Sequence, residues 1–492
     1  MIKRTPICLV ALLAVSLGSY LFAHDENAVT EEMKVNLVEL EVRAHTLGGK
    51  SLYGLNATDF VVKENGRVQA IDSFEEVDLN ALNAAERDAR RKRTMILLDF
   101  KNTQYEVMRT SFDHLRNYVT MYDHGNSDFG LAVNADGIIE FLPFTANREH
   151  FLEAVDLAES YYRKSRYKSY TSIRQGRYFG HAYGPFGVPG FGPSGQYRSS
   201  HHLTQDYYRR ELEILGQFVN YLGVWSGEKN LVLVSNPWDQ HLSDDNEGAS
   251  NNPEVLSMKD IQTTALYNKV TVNVISLDRH VDMTSARYVV RQAPRVLDRT
   301  AEVASSTAGS FYHANRAGLA KVLEQTVDEL THYYRIRYYS NQGGDRYRRI
   351  QVVAKGANRV ATHFSGYYPQ GTGIVPASVN GSAEMVQGQW TLSTGTDWMA
   401  WTHSGWKKKR ANYAISHRVY DASGELLAER VRSGELKVRK RKGSYDYPQL
   451  LQEVRFEMGE GHEPARIETT VVDLTSGERL VLSKNLDRDN LG

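Results

Sequence analysis

Between Tyr161 and Tyr208, nine tyrosines are interleaved with seven basic residues, and Asp206 is the single acid among them. Tyrosine offers a rigid, amphipathic contact surface, and arginine offers a directional fork of donors. The mixture suits recognition better than turnover. Residues 180–195 are almost wholly glycine, proline and aromatic. A stretch this long without a core pattern reads as a loop inserted at 161–208. It is either a binding loop or a disordered surface segment with no partner. As a binding loop its anchors are Tyr167, Tyr170, Arg174, Arg177, Tyr178, Tyr183, Phe186 and Tyr197, and its partner is another protein, a glycan or an anionic polymer. Aromatics among cations also suit single-stranded nucleic acid. That reading is set aside because the chain carries 59 basic and 59 acidic residues and an export signal, described below.

Groups for catalysis are harder to assemble. The chain contains no Gly-x-Ser-x-Gly, no His-Glu-x-x-His and no P-loop. His201 and His202 are adjacent, and neighbours on a regular element point apart, so they read as two separate histidines rather than a metal pair. Lys407-Lys408-Lys409-Arg410 and the run Lys437 to Lys442 read as solvated hairpin tips or strand faces, with attraction to anionic lipid or polysaccharide as the other reading. The expectation is a protein that binds rather than catalyses, with a hydrolase as the lesser alternative.

The elements that must position these groups begin after a leader. Lys3 and Arg4 precede an apolar run from Ile7 to Leu17, and Ala23 precedes the polar stretch His24-Asp25-Glu26-Asn27. This reads as a secretory signal, residues 1–23, cleaved after Ala23. An uncleaved anchor is disfavoured because the run is shorter than the roughly 20 residues that span a bilayer. Cys8, the only cysteine, lies in this leader, so no disulfide, cysteine zinc site or thiol nucleophile is expected beyond it. The address is secreted or periplasmic, with no later segment apolar enough to cross a membrane.

Residues 34–78 alternate as strands, with Asn65-Gly66 as a tight hairpin turn. A helix-prone linker then ends in Arg90-Arg91-Lys92-Arg93, which reads as solvated. Strands at Thr94–Leu98, Asp128–Val133, Asn230–Ser235 and Val270–Ile275 alternate with helical patterns across 93–332. That alternation implies a doubly wound, mainly parallel sheet whose ligands bind at the strand carboxyl ends. Strand character returns over 333–368 and completes the small β-unit. Residues 377–492 carry only strand signals, with look-alike turns at Asp421-Ala422-Ser423-Gly424 and Asp473-Leu474-Thr475-Ser476-Gly477, and read as an antiparallel β-sandwich.

The order of these pieces resembles the bacterial von Willebrand factor A-related family of secreted proteins. Gly54-Leu55-Asn56-Ala57-Thr58-Asp59-Phe60 with Glu64-Asn65-Gly66 resembles its opening β-unit. Met95 to Asp99 is similar to the first strand of its A domain. Gly309-Ser310-Phe311-Tyr312 and Tyr333-Tyr334-Arg335-Ile336-Arg337-Tyr338-Tyr339 resemble its closing segments. The resemblance covers roughly residues 34 to 369 of the sequence. It implies an A-like domain at 93–332 and a metal-ion-dependent adhesion site holding Mg²⁺, or Ca²⁺, through hard oxygen ligands. Carried over residue by residue, Asp99 and Thr103 fit that site. Asn236 stands where a second aspartate is expected, with Asp239 nearby. Lys101 replaces a serine ligand, and an ammonium has no lone pair to give. The expectation is therefore a degenerate site without metal, with Lys101 in the cation's place. A weakened metal site is the alternative. The partner's identity and the oligomeric state are not legible.

Overall fold

The computed structural model describes residues 36–486 apart from 48, 84–85, 87–89, 101–102, 104, 123–126, 136, 176–185, 188–199, 236–257, 278–298, 315–318, 341–345, 369–380, 387–388, 406, 442–443 and 457–463. The leader, its cleavage point and Cys8 lie outside the described residues.

The chain opens with β1 (Asn36–Thr46), β2 (Phe60–Glu64), β3 (Arg67–Gln69) and β4 (Ser73–Asp78). Asn65 and Gly66 both take left-handed backbone, with φ 48° and 82°, as a type I′ turn demands between β2 and β3. The partners of these strands arrive late in the sequence as β12 (His332–Ser340), β13 (Arg348–Ala354), β14 (Arg359–Thr362) and β15 (Gly366–Tyr367). β12 lies between β1 and β4, and β13 pairs β2, all antiparallel. The two small sheets share a core of Val42, Val62, Tyr334, Ile336, Tyr338 and Val352. Alternation along β13, buried and exposed by turns, follows directly from the period of two. Inside this unit Glu64 is fully buried, accepting from Ser340 Oγ at 2.8 Å, with Arg348 close by at 3.5 Å.

Between the two halves lies the central sheet: β5 (Lys92–Asp99), β6 (Ser127–Asn134), β7 (Gly137–Thr145), β8 (Phe186–Gly187), β9 (Lys229–Ser235), β10 (Val270–Leu277) and β11 (Phe311–Ala314). Its order is β11-β10-β9-β5-β6-β7-β8. The five strands from β11 to β6 are parallel, while β7 and β8 add antiparallel pairs at one edge. β5, β9 and β10 are buried along nearly their whole length, which is why they read as continuous apolar runs. One face packs Met95, Leu97, Leu231, Leu233 and Val274 under α3 (Ser200–Val224), α4 (Met258–Tyr267) and α5 (Arg299–Ser306). The other packs Ile96, Leu98, Leu131, Val232 and Ile275 under α1 (Tyr105–Tyr122), α2 (Arg148–Gln175) and α6 (Leu319–Thr331). Each such side chain contributes about 1.5–3 kcal/mol on burial.

Two expectations change here. The 161–208 segment is not one long loop, because α2 runs on to Gln175 and α3 starts at Ser200. Phe151, Ala154, Val155, Ala158 and Tyr162 hold the first turns of α2 on the core, and no glycine or proline follows before Gly176 to stop it. Nor is Arg90–Arg93 a solvated linker. β5 begins at Lys92, whose side chain is only 1% exposed and meets Glu41 at 2.7 Å beneath the Tyr333 ring. Arg93 meets Glu429 at 2.6 Å. Both cations are drawn inward by acids that are distant in sequence.

The last part comprises β16 (Gly381–Val386), β17 (Gln389–Thr394), β18 (Thr402–Gly405), β19 (Lys408–Tyr420), β20 (Leu426–Arg439), β21 (Leu450–Val454), β22 (Arg466–Asp473) and β23 (Arg479–Asn485). All pairings are antiparallel. The β16-β17-β21 sheet faces the β18-β19-β22-β23 sheet across Trp390, Leu392, Ile415, Leu450, Ile467 and Val471. The two turns noticed in the sequence are built alike. Asp421 accepts from the Ser423 and Glu425 amides, Asp473 from the Thr475 amide, and Gly424 and Gly477 both take positive φ. Ala414, Val472 and Leu474 join the central sheet's core, so this sandwich docks on α3. Asn412 donates to Gln217 at 3.2 Å, and Asn220 donates to the Leu474 carbonyl at 3.1 Å, across the same junction.

Candidate functional site

In a sheet of this order the connections that follow the adjacent strands β5 and β9 run in opposite directions, from β5 to β6 on one side and from β9 to β10 on the other. A crevice opens where they diverge, beyond the carboxyl ends of the strands. Asp99 is the last residue of β5 and stands at that point, fully buried. Its partner in register is Asn134, the last residue of β6, and Ser235, the last of β9, follows Val234, the partner of Leu98. Ser235 Oγ donates to Asp99 Oδ2 at 2.6 Å, and Asn134 Nδ2 donates to Asp99 Oδ1 at 3.3 Å. Thr103 is buried beside them, its amide donating to the Asp99 carbonyl at 3.1 Å. From α2, Tyr162 Oη donates to the Thr103 carbonyl at 3.3 Å. The Phe100 ring sits 4.4 Å from that of Tyr162 and 5.9 Å from that of Phe112, walling the site with aromatics. Ser276, at the end of β10, is also buried and is paired in register with Ser235.

Of the residues that the sequence assigns to this site, Asp99 and Thr103 therefore come together. Lys101, Asn236 and Asp239 lie outside the described residues. Asn134 and Ser235 escaped the sequence reading. Their signal is simple: each ends a strand that is parallel to β5 and adjacent to it, so each must meet the carboxylate that ends β5.

The described donor set contains one carboxylate and neutral oxygens. Both Asp99 oxygens already accept hydrogen bonds from uncharged groups, and among the described residues no three His, Cys, Asp or Glu side chains converge as a metal cluster. Hard divalent cations are held chiefly by ligand charge. Among the described residues of this site, Asp99 is the one carboxylate.

The tyrosine-rich segment is divided between helix and sheet. Tyr167, Tyr170 and Arg174 lie on α2, and Phe186 lies on β8, where it pairs in register with Ile138 of β7. The segment thus returns to the edge of the central sheet. Arg177, Tyr178, Tyr183 and Tyr197 lie outside the described residues. His201 and His202 fall in the first turn of α3.

No protein-family model matches the chain, and no curated protein matches it. Among solved structures, proximal thread matrix protein 1 from the mussel byssus is similar at 10% identity over 50% of this chain, with a TM-score of 0.27. The chain spans about half the length of that protein, 46% of it. An aerotolerance-related membrane protein from Bacteroides fragilis is 12% identical, covering 48% of this chain and 98% of its own, with a TM-score of 0.26. Manganese-loaded Plasmodium vivax TRAP protein is 11% identical over 66% of this chain and 90% of its own, with a TM-score of 0.23. At such scores the likenesses are partial, and no function passes from them.

Proposed function

We propose that the chain is an exported, non-catalytic binding or scaffold protein. In this reading the central unit is von Willebrand factor A-like, and the strand-end crevice around Asp99 is a degenerate descendant of a metal-dependent adhesion site. The observation that carries it is the Asp99 carboxylate, buried and satisfied by Ser235 and Asn134 at the switch point of the sheet. The sequence motif adds Lys101, a cation where a ligand oxygen belongs. The crevice and the tyrosine-rich segment beside it would receive another protein or an anionic glycan. Residues 93–332 form the A-like unit, 34–78 with 333–368 the small β-unit, and 377–492 the sandwich.

The test is calorimetric titration of the chain with Mg²⁺, Ca²⁺ and Mn²⁺, alongside a Lys101→Ser/Asn236→Asp double variant. The expected result is no heat of binding for the natural chain and binding by the variant. Micromolar binding by the natural chain overturns the degenerate reading and makes metal-dependent adhesion the mechanism.

A further inference from the structure

One end of the sandwich concentrates positive charge in a way its own fold does not balance. Lys408 of β19 stands directly opposite Arg439 of β20, and the Lys440 amide donates to the Lys407 carbonyl at 2.8 Å. Like charges facing each other across a strand pair repel. Lys407, Lys408, Arg439, Lys440 and Arg441 are all exposed. Among the described residues Lys408, Arg439, Lys440 and Arg441 make no ion pair, whereas neighbouring Lys437 is paired with Glu435 at 2.6 Å. Lys407 itself has φ 59°, a left-handed conformation that glycine or asparagine would adopt more easily. Strain and repulsion at one exposed tip are tolerated there, which is the pattern of a site kept for a ligand.

Two lysines at this end, Lys409 and Lys440, lie over aromatic rings. Arg441 and Ser444 exchange backbone hydrogen bonds at 2.9 and 3.0 Å, turning the chain so that Tyr445 and Tyr447 come under the strand ends. Lys409 Nζ lies 4.7 Å above the Tyr445 ring and donates to Tyr447 Oη at 3.3 Å. Lys440 Nζ lies 5.9 Å from the same Tyr445 ring, and Trp401 packs on Tyr447 at 4.9 Å. The Trp401 indole N–H is spent on the Thr396 carbonyl at 2.7 Å.

We propose that this end of the sandwich binds an acidic polysaccharide, whose carboxylates are met by Lys408, Arg439 and Lys440. The kind of polyanion follows from what is on offer. Stacking of nucleic-acid bases needs bare ring faces, and here lysines and Trp401 already cover the tyrosines. Insertion into a bilayer needs protruding apolar groups, and the outward groups here are charged. What remains is a set of exposed ammonium and guanidinium donors at the strand ends, which matches a chain of carboxylates and hydroxyls. This site is separate from the strand-end crevice, and neither proposal depends on the other.

The experiment titrates the full chain with polygalacturonate oligosaccharides, against neutral dextran, phosphatidylglycerol vesicles and oligo-dT. A Lys408→Gln/Arg439→Gln/Lys440→Gln variant is run in parallel. The expected result is binding to polygalacturonate alone, weakened at least tenfold in the variant, with a melting temperature equal to or above that of the natural chain because repulsion has been relieved. Acetylation of Lys408 and Lys440 in the natural chain should also be suppressed by the bound oligosaccharide, a readout that needs no variant. The proposal is overturned by unchanged binding in the variant, by the absence of lysine protection, or by vesicles or oligo-dT binding as tightly as the glycan.

Discussion

Ser235 Oγ lies 2.6 Å from Asp99 Oδ2, so the end of one parallel strand satisfies the buried carboxylate that ends its neighbour. The pair is a structural bond as well as the heart of the crevice. Asp99→Ala would leave the Ser235 hydroxyl and the Asn134 amide facing an apolar methyl. Stranded buried donors of this kind cost about 1–3 kcal/mol each, so a loss of about 2–6 kcal/mol is expected. Asp99→Asn keeps one carbonyl oxygen and should lose about half as much. Urea unfolding of the three proteins measures both. A loss under about 0.5 kcal/mol for the alanine variant would mean that the carboxylate is not held as described.

Glu429 ties the sandwich to the central sheet. Its carboxylate meets Arg93 at 2.6 Å, Arg418 at 2.8 Å, and the Ser226 amide and hydroxyl at 2.9 Å each. Burial pushes this carboxyl up, but the two guanidiniums override it and hold it below the usual range. Glu429→Ala removes the anion and leaves two arginines facing each other in a site where the glutamate is 5% exposed. Breaking such a buried pair costs about 3–5 kcal/mol. Because the cluster spans the junction, differential scanning calorimetry should show one transition for the natural chain and two for the variant. Limited proteolysis should then cut the variant sooner than the natural chain. A single transition at an unchanged temperature counts against the role given to this cluster.

Glu140 of β7 predicts the opposite kind of pH dependence from that of an ordinary surface glutamate. Burial raises its carboxyl to about 7, partly offset by the hydroxyl of Tyr221, which donates at 2.8 Å from α3. The folded state then holds the proton more tightly than the unfolded chain, whose value is 4.5. Stability from this group is complete below pH 4.5 and is lost as pH rises through about 7. The loss should amount to about 1–3 kcal/mol. Glu140→Gln keeps an acceptor for Tyr221 and should flatten the profile, so that the variant gains on the natural chain between pH 5 and 8. Parallel profiles for the two proteins would contradict the assignment.

How much of this was legible in the sequence depends on how local the cause is. Asn65-Gly66 and the paired turns at Asp421 and Asp473 were legible because a positive φ and a side chain capping its own loop are local events. The apolar run of β9 was legible because a strand buried on both faces needs no partner to announce itself. The helix of α2 was missed past Tyr161, since tyrosine and arginine composition suggested a loop while nothing in the run actually stops a helix. The basic run before β5 was misread for a different reason. Glu41 lies 51 positions before Lys92, and Glu429 lies 336 after Arg93, and no local pattern registers an acid that far away. The same holds for Asp99. Its type and place were legible, but Ser235 is 136 positions distant and becomes its neighbour only once β9 is set beside β5.

Lys92 gives the sharpest test of how the small β-unit is held to the central sheet. Its ammonium lies 2.7 Å from Glu41 of β1, 3.4 Å from Glu228 just before β9, and 4.0 Å above the Tyr333 ring of β12. Burial pushes the Glu41 carboxyl up, but Lys92 and then Arg43 override it and hold it well below the usual range. A carboxylate depressed in this way contributes stability that is present above its unfolded value of 4.5 and is lost as pH falls through its folded value. Lys92→Met fills the same volume but leaves Glu41 with Arg43 alone and with Glu228 as a repelling neighbour. The cost should be about 3–5 kcal/mol at pH 8, the usual figure for an orphaned buried charge. As the pH is lowered, the natural chain loses the contribution of Glu41, while the variant has little of it left to lose. The two stability curves should therefore converge towards pH 3. Urea unfolding at pH 8, 5 and 3 decides the matter. A gap between the proteins that stays constant across the three would show that Lys92 acts through packing under Tyr333, and that its charge is not what joins β5 to β1.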